Sequence, residues 1–155
     1  MGSGAALGLI ALQGTLKDTE PLAEGDVLGF VRTFNTIAVS FFMNANHVED
    51  WENKKGFFPD KRQMLVKIVD SLLRDQHDSD WVQKFTPAGK EVLPGWTLDY
   101  DASHEGHYVL IVRGAKVTFM SDDNGVIYHA LSTSTDPSAN DLLRANQFPG
   151  ATPLQ

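Results

Sequence analysis

The sequence predicts an α+β domain: a long N-terminal helix and a second helix packed on a C-terminal four-stranded antiparallel β-meander. Three observations predict it. Apolar residues recur at helical spacing through the first half of the chain. From Trp96 onward they recur at every second position instead. The later segments are joined by short glycine-bearing turns, as hairpins require.

The helical elements follow in chain order. Thr19-Glu20-Pro21 reads as a helix start, with a capping hydroxyl, an acid in the first turn and an early proline. Val27, Phe30, Val31, Phe34, Ala38, Phe41 and Val48 then step by three, four and seven, as one core-facing stripe of a long helix does. Ile37, Val39 and Phe42 widen the stripe, so this helix is expected to be buried on more than one side. Asn53-Lys54-Lys55-Gly56 closes the pattern with bases and a glycine stop. Phe57-Phe58-Pro59 forms an apolar plug. Asp60 then caps a second helix, whose Met64, Leu65, Ile68, Val69, Leu72 and Leu73 share one face. His77-Asp78-Ser79-Asp80 breaks it, and Trp81, Val82 and Phe85 supply one more helical turn before Pro87 and Gly89.

Strands are expected at 96–100, 107–113, 116–121 and 126–132. Arg113-Gly114-Ala115-Lys116 reads as a two-residue hairpin with glycine first, and Asp122-Asp123-Asn124-Gly125 holds the Asn-Gly hairpin dipeptide. One face of the meander would pack on the helices. Residues 133–155, rich in Ser, Thr, Pro and Asn, are expected to form a loose tail, with one helical turn at Asp141-Leu142-Leu143-Arg144. The whole chain, 1–155, is read as a single domain: a helical half over 19–86, a meander over 96–132, and the tail.

Composition excludes several function classes. The 155 residues carry a net charge of −7, from 13 basic and 20 acidic side chains, and the bases are scattered. A nucleic-acid partner is therefore not expected, since such proteins gather Lys and Arg on one face. With no cysteine in the chain, disulfides, thiolate metal sites and cysteine nucleophiles are excluded. The apolar run at 5–12 is too short to span a bilayer, which takes about 20 residues. Met1-Gly2-Ser3-Gly4 is either native or an engineered leader, and the second case leaves room for a membrane anchor upstream.

The richest polar constellation is Asp99, Asp101, His104, Glu105 and His107. Asp99, Asp101, His104 and His107 are the candidate metal ligands, because imidazole and carboxylate suit zinc-like ions. The competing reading is a polar turn facing water. Asp122-Asp123-Asn124-Gly125 does not continue as a calcium loop, because its twelfth position is Thr133 and not glutamate. No Gly-x-Ser-x-Gly elbow and no phosphate-binding Gly-Lys-Ser/Thr loop is present, so no motif demands a cofactor. Glu49 and Asp50 are helix neighbours that point apart. Trp51, Trp81 and Trp96 flank predicted elements and are read as core caps.

The long striped helix, the Gly56-x-x-Pro59 junction and the four-stranded meander resemble the order of type IV pilins and pseudopilins over residues 22–132. The chain departs from that pattern in two ways. Ala5 stands where family members carry a glutamate in a membrane-spanning helix, and there is no cysteine pair to staple a C-terminal loop. The resemblance implies a trimmed or divergent accessory subunit of a pilus or secretion assembly, in the periplasm or cell envelope rather than the cytoplasm.

The residues and the resemblance together give a non-catalytic structural or interaction subunit that binds a protein partner or copies of itself. Phe30, Phe34, Phe41 and Phe42 exceed what one core stripe needs and form its candidate interface. The alternative is a small-molecule-binding or metal-dependent hydrolytic domain with its site near the first β-turn.

Overall fold

A computed structural model describes residues 20–44, 56–74, 80–89 and 91–154. Among the described residues three helices, α1 (Glu24–Asn44), α2 (Lys61–Arg74) and α3 (Asp80–Lys84), precede five strands: β1 (Thr97–Asp101), β2 (Val109–Arg113), β3 (Val117–Asp122), β4 (Ile127–Leu131) and β5 (Thr152–Pro153). The strands form one antiparallel sheet in the order β1-β2-β3-β4-β5. The α+β class stands, with one strand more than the sequence predicts.

Helix α1 begins later than Thr19-Glu20-Pro21 suggests, and the cause is local. The Leu22 amide donates to the Pro94 carbonyl at 3.0 Å, and the Leu22 carbonyl accepts from the Trp96 indole at 2.8 Å. Both backbone groups of Leu22 are thereby committed to the loop before β1, so helical bonding starts from the Ala23 carbonyl. Val48, Trp51 and the predicted stop at Asn53-Lys54-Lys55 lie outside the described residues. Helix α2 starts as expected. Asp60 Oδ1 accepts from the Gln63 amide at 2.9 Å, and Gln63 Oε1 accepts from the Asp60 amide at 3.2 Å, a reciprocal cap.

The sheet is buried on both faces. On one side Phe34 of α1 meets Tyr100 and Tyr108 edge-on or tilted, with ring centroids 5.0 and 6.0 Å away. Phe30 contacts Trp81 and Phe85 at 5.4 and 5.9 Å, which seats α3 against α1. Leu98, Leu110, Val112 and Phe119 complete this core with Met64 and Ile68 of α2. The other face carries Val109, Ile111, Met120 and Ala130. Alternation along β2 thus sends Leu110 and Val112 to the helices, and Val109 and Ile111 to the opposite layer.

That opposite layer is the C-terminal segment, which corrects the expectation of a loose tail over 133–155. Two short 3-10 turns, Ala139–Asp141 and Ala145–Gln147, lay Ala139, Leu142, Ala145 and Phe148 on the second face. Strand β5 then pairs with β4 through Tyr128 and His129. Its Pro153 is tolerated because the strand is an edge. A sheet with a second apolar face must be covered, and the tail covers it.

The two hairpins also resolve. Gly114 donates to the Val117 carbonyl at 2.9 Å, so Ala115 and Lys116 are the central residues, one place later than the glycine-first turn predicted. Glycine is needed at 114 for space: a Cβ there would lie 2.6 Å from the Trp96 ring. The second hairpin runs through Asp122-Asp123-Asn124-Gly125, where Gly125 donates to the Asp122 carbonyl at 2.9 Å. Only Gly125 takes a positive φ, +79°, so the turn is a three-residue loop with a glycine bulge.

Phe148 is 1% exposed on the second face. Phe148→Ala is expected to lower unfolding stability by about 3–5 kcal/mol in urea denaturation, as for a fully packed aromatic residue. A loose tail would give a change near zero.

Candidate functional site

The four candidate metal ligands are not brought to one point. Asp99 sits on β1 facing the tail. Its Oδ2 accepts from the Ala139 amide at 2.8 Å and from Arg113 Nη1 at 3.2 Å. Arg113 also donates through Nη2 to the Pro137 carbonyl. This acid–guanidinium pair fastens the tail to the first two strands. Asp101, two residues on, accepts from Ser103 Oγ at 2.9 Å and lies 3.6 Å from His104 Nδ1, in the turn after β1. His107 points elsewhere, with Nδ1 3.1 Å from an Asp123 carboxylate oxygen in the second hairpin. Among the described residues no three histidine, aspartate or glutamate side chains group as metal ligands. The separation follows from geometry: His104 lies inside a turn closed by the His107 amide on the His104 carbonyl, which sends the two rings to different neighbours.

Three functional-looking groups escaped the sequence reading. Asp123 is shared by His107 and by Arg144, whose Nη1 stands 3.3 Å from the carboxylate. Asp122 is buried and accepts from the Asn124 amide and the Ala145 amide, each at 2.9 Å. It therefore holds both the hairpin and the second 3-10 turn. The third group lies on the helical side. Asn35, in the middle of the apolar stripe of α1, donates through Nδ2 to Ser121 Oγ at 2.8 Å and accepts from the Tyr108 hydroxyl. The Ser121 hydroxyl in turn donates to the Val126 carbonyl at 2.9 Å. No spacing rule could find these, because the partners are 86, 73 and 23 residues apart.

The four candidate interface phenylalanines divide. Phe30 and Phe34 are fully buried inside the domain, which corrects their reading as interface residues. The helix stripe is wide because it meets α2, α3 and the sheet together, a load that a two-element picture underestimates. Phe42 is half-buried and stacks on Phe58 with centroids 4.3 Å apart. Phe41 is half-buried as well, with Lys67 Nζ 4.8 Å from its ring centre. The outer face of α1 is formed instead by Thr36, Val39, Ser40 and Met43, all exposed. No charged residue occurs in α1 after Arg32. By length and composition α1 could also cross a bilayer.

Two open grooves flank α2. The smaller, about 330 Å³, runs beside the first β-turn between Phe57, Phe58 and Asp60 and the stretch from Tyr100 to Ser103. The larger, about 600 Å³, lies between α2 and the Pro87-Ala88 turn. No family model matches the chain, and no curated protein or solved structure is significantly similar to it.

Burial raises the pKa of both core tyrosines far above the ordinary range. For Tyr100 the neighbouring Tyr108, Asp60 and Asp101 add to that effect, and for Tyr108 the carboxylates of Asp122 and Asp123 do so. Above pH about 10, where an unfolded tyrosine loses its proton, the folded chain keeps both. The unfolded state then binds fewer protons, so stability is intact below about pH 10 and falls above it, by about 1.4 kcal/mol per pH unit for each tyrosine. Urea midpoints measured across that range should show this decline, and Tyr108→Phe should roughly halve its slope. At neutral pH the same substitution strands the Asn35 carbonyl and is expected to cost about 1–3 kcal/mol.

Proposed function

We propose that this chain is a non-catalytic structural subunit that assembles by packing the outer face of α1 against further copies of itself, in the manner of pilin-like and pseudopilin subunits of an envelope assembly. The observation that carries the proposal is the character of that face. Thr36, Val39, Ser40 and Met43 are exposed, and Val39 and Met43 are apolar side chains one turn apart. A helix of a globular domain ordinarily turns charged residues to water on its outer side. Here more than three turns, from Thr33 to Asn44, present none.

Two further features support the reading. The helix lies across an antiparallel sheet whose strands follow one another in sequence order, the element order on which the resemblance to such subunits rests. Two of the polar residues that suggested a metal site are engaged in holding the fold: Asp99 with Arg113 and Ala139, and His107 with Asp123.

The absence of cysteine makes a clean test available. Met43→Cys is expected to give disulfide-linked dimers under mild oxidation, and light scattering of the cysteine-free chain should show concentration-dependent association. Val39→Glu should weaken that association more than tenfold, because it would bury an unpaired carboxylate at the contact. A strictly monomeric chain at high concentration, with no Met43→Cys cross-link, would refute self-assembly through α1.

A further inference from the structure

Helix α2 presents a second feature that the fold does not use. Its first turn and one flank line a groove of about 600 Å³ with Lys61, Arg62, Leu65, Val66 and Val69, closed on the far side by Pro87 and Ala88. That volume falls within the range that small-molecule sites occupy. The walls are almost wholly apolar, and Val66 remains 50% exposed in them. Charge is confined to the ends. Lys61 and Arg62 stand together at the start of the helix, and Asp70 stands about 12 Å further along it by helical rise. Lys61 Nζ donates to the Leu98 carbonyl at 3.0 Å, and an ammonium has two further protons to give.

We infer that this groove binds a single-chain amphiphile with an anionic head, its head at Lys61 and Arg62 and its alkyl chain along Leu65, Val66 and Val69. Charge selects the ligand and its direction. An anionic head is attracted to the paired cations and repelled by Asp70, so the chain can lie only one way. A cationic head meets the two bases instead, and the single row of apolar side chains, Leu65, Val66 and Val69, matches one chain. The distance from Arg62 to Asp70 accommodates an extended chain of roughly ten carbons at about 12 Å. The site is separate from the outer face of α1. Lys67, which reaches toward α1 over Phe41, lies about 150° around α2 from the centre of the groove.

The test uses the full chain and four probes below their micelle-forming concentrations: decanoate, decyl phosphate, 1-decanol and decylamine. Amide chemical shifts should move on α2 and around Pro87-Ala88 with a Kd on the order of 1 mM or tighter for the anions. Decylamine should bind about tenfold more weakly, the effect of exchanging two exposed attractive contacts for repulsive ones. The tighter of the two anions identifies the headgroup. Arg62→Glu should reverse the preference between decanoate and decylamine, and Val66→Asp should weaken all four probes. Both positions are exposed, so a dispersed spectrum verifies the fold of each variant. Equal affinity for all four probes, shifts located elsewhere, or no binding would overturn the inference. Val39→Glu should leave decanoate binding unchanged, so self-assembly and ligand binding can fail independently.

Discussion

The structure depends on one buried polar chain: the Tyr108 hydroxyl to Asn35, Asn35 to Ser121, and Ser121 to the Val126 carbonyl. Asn35 occupies the centre of α1, where every neighbouring core position is apolar. A buried amide left without partners costs on the order of a few kcal/mol, so the helix is held at the one rotation and height that serve it. The same bonds fix the sheet. Sliding β3 by one residue would turn Ser121 to the tail face and Met120 to the helices. Apolar packing alone tolerates small sliding and rotation, whereas a satisfied polar chain does not. The aromatic contacts of Phe34 with Tyr100 and Tyr108 are arranged around that fixed point.

Carboxylates do the equivalent on the opposite face. Asp99 and Asp122 each accept a backbone amide from the tail, at Ala139 and Ala145, which are the first residues of the two 3-10 turns. The turns are too short to be stable alone. Their orientation comes from these two anchors, and the anchors then place Leu142 and Phe148 over Ile111 and Met120. Arg113 and Arg144 pair with Asp99 and Asp123.

The fold was legible wherever the signal was periodic. The cap at Asp60, the face of α2 and the strand order all follow from local spacing. The tail was misread because Ala139, Leu142, Ala145 and Phe148 recur at every third residue, the period of 3-10 turns and neither the 3.6 of an α-helix nor the two of a strand. Yet the sequence held an indirect sign. The run Val109-Leu110-Ile111-Val112 does not alternate, as a strand buried on both faces does not, and a second apolar face requires something to cover it. The polar constellation near the first β-turn was misleading for the opposite reason. Closeness along the chain put Asp99, Asp101, His104 and His107 together on paper, while strand alternation and the intervening turn gave each a different partner. The residues that pair in space, such as His107 with Asp123, share no spacing that a single sequence displays.

Polar side chains inside the domain are matched to partners, so chemistry at the surface must come from what the fold leaves over. Two such remainders stand out, and they differ in kind. Beyond Arg32 the outer face of α1 is uncharged over about three turns, which suits another protein surface more than a small molecule. The groove on α2 is concave, apolar along its length and charged at its ends, which suits a small amphiphile more than a flat protein surface. The net charge of −7 affects the two differently. It opposes the approach of one copy to another, so contact through α1 must be short-ranged and apolar. It also opposes the approach of an anion, and only a local pair of cations such as Lys61 and Arg62 can offset that field within a Debye length.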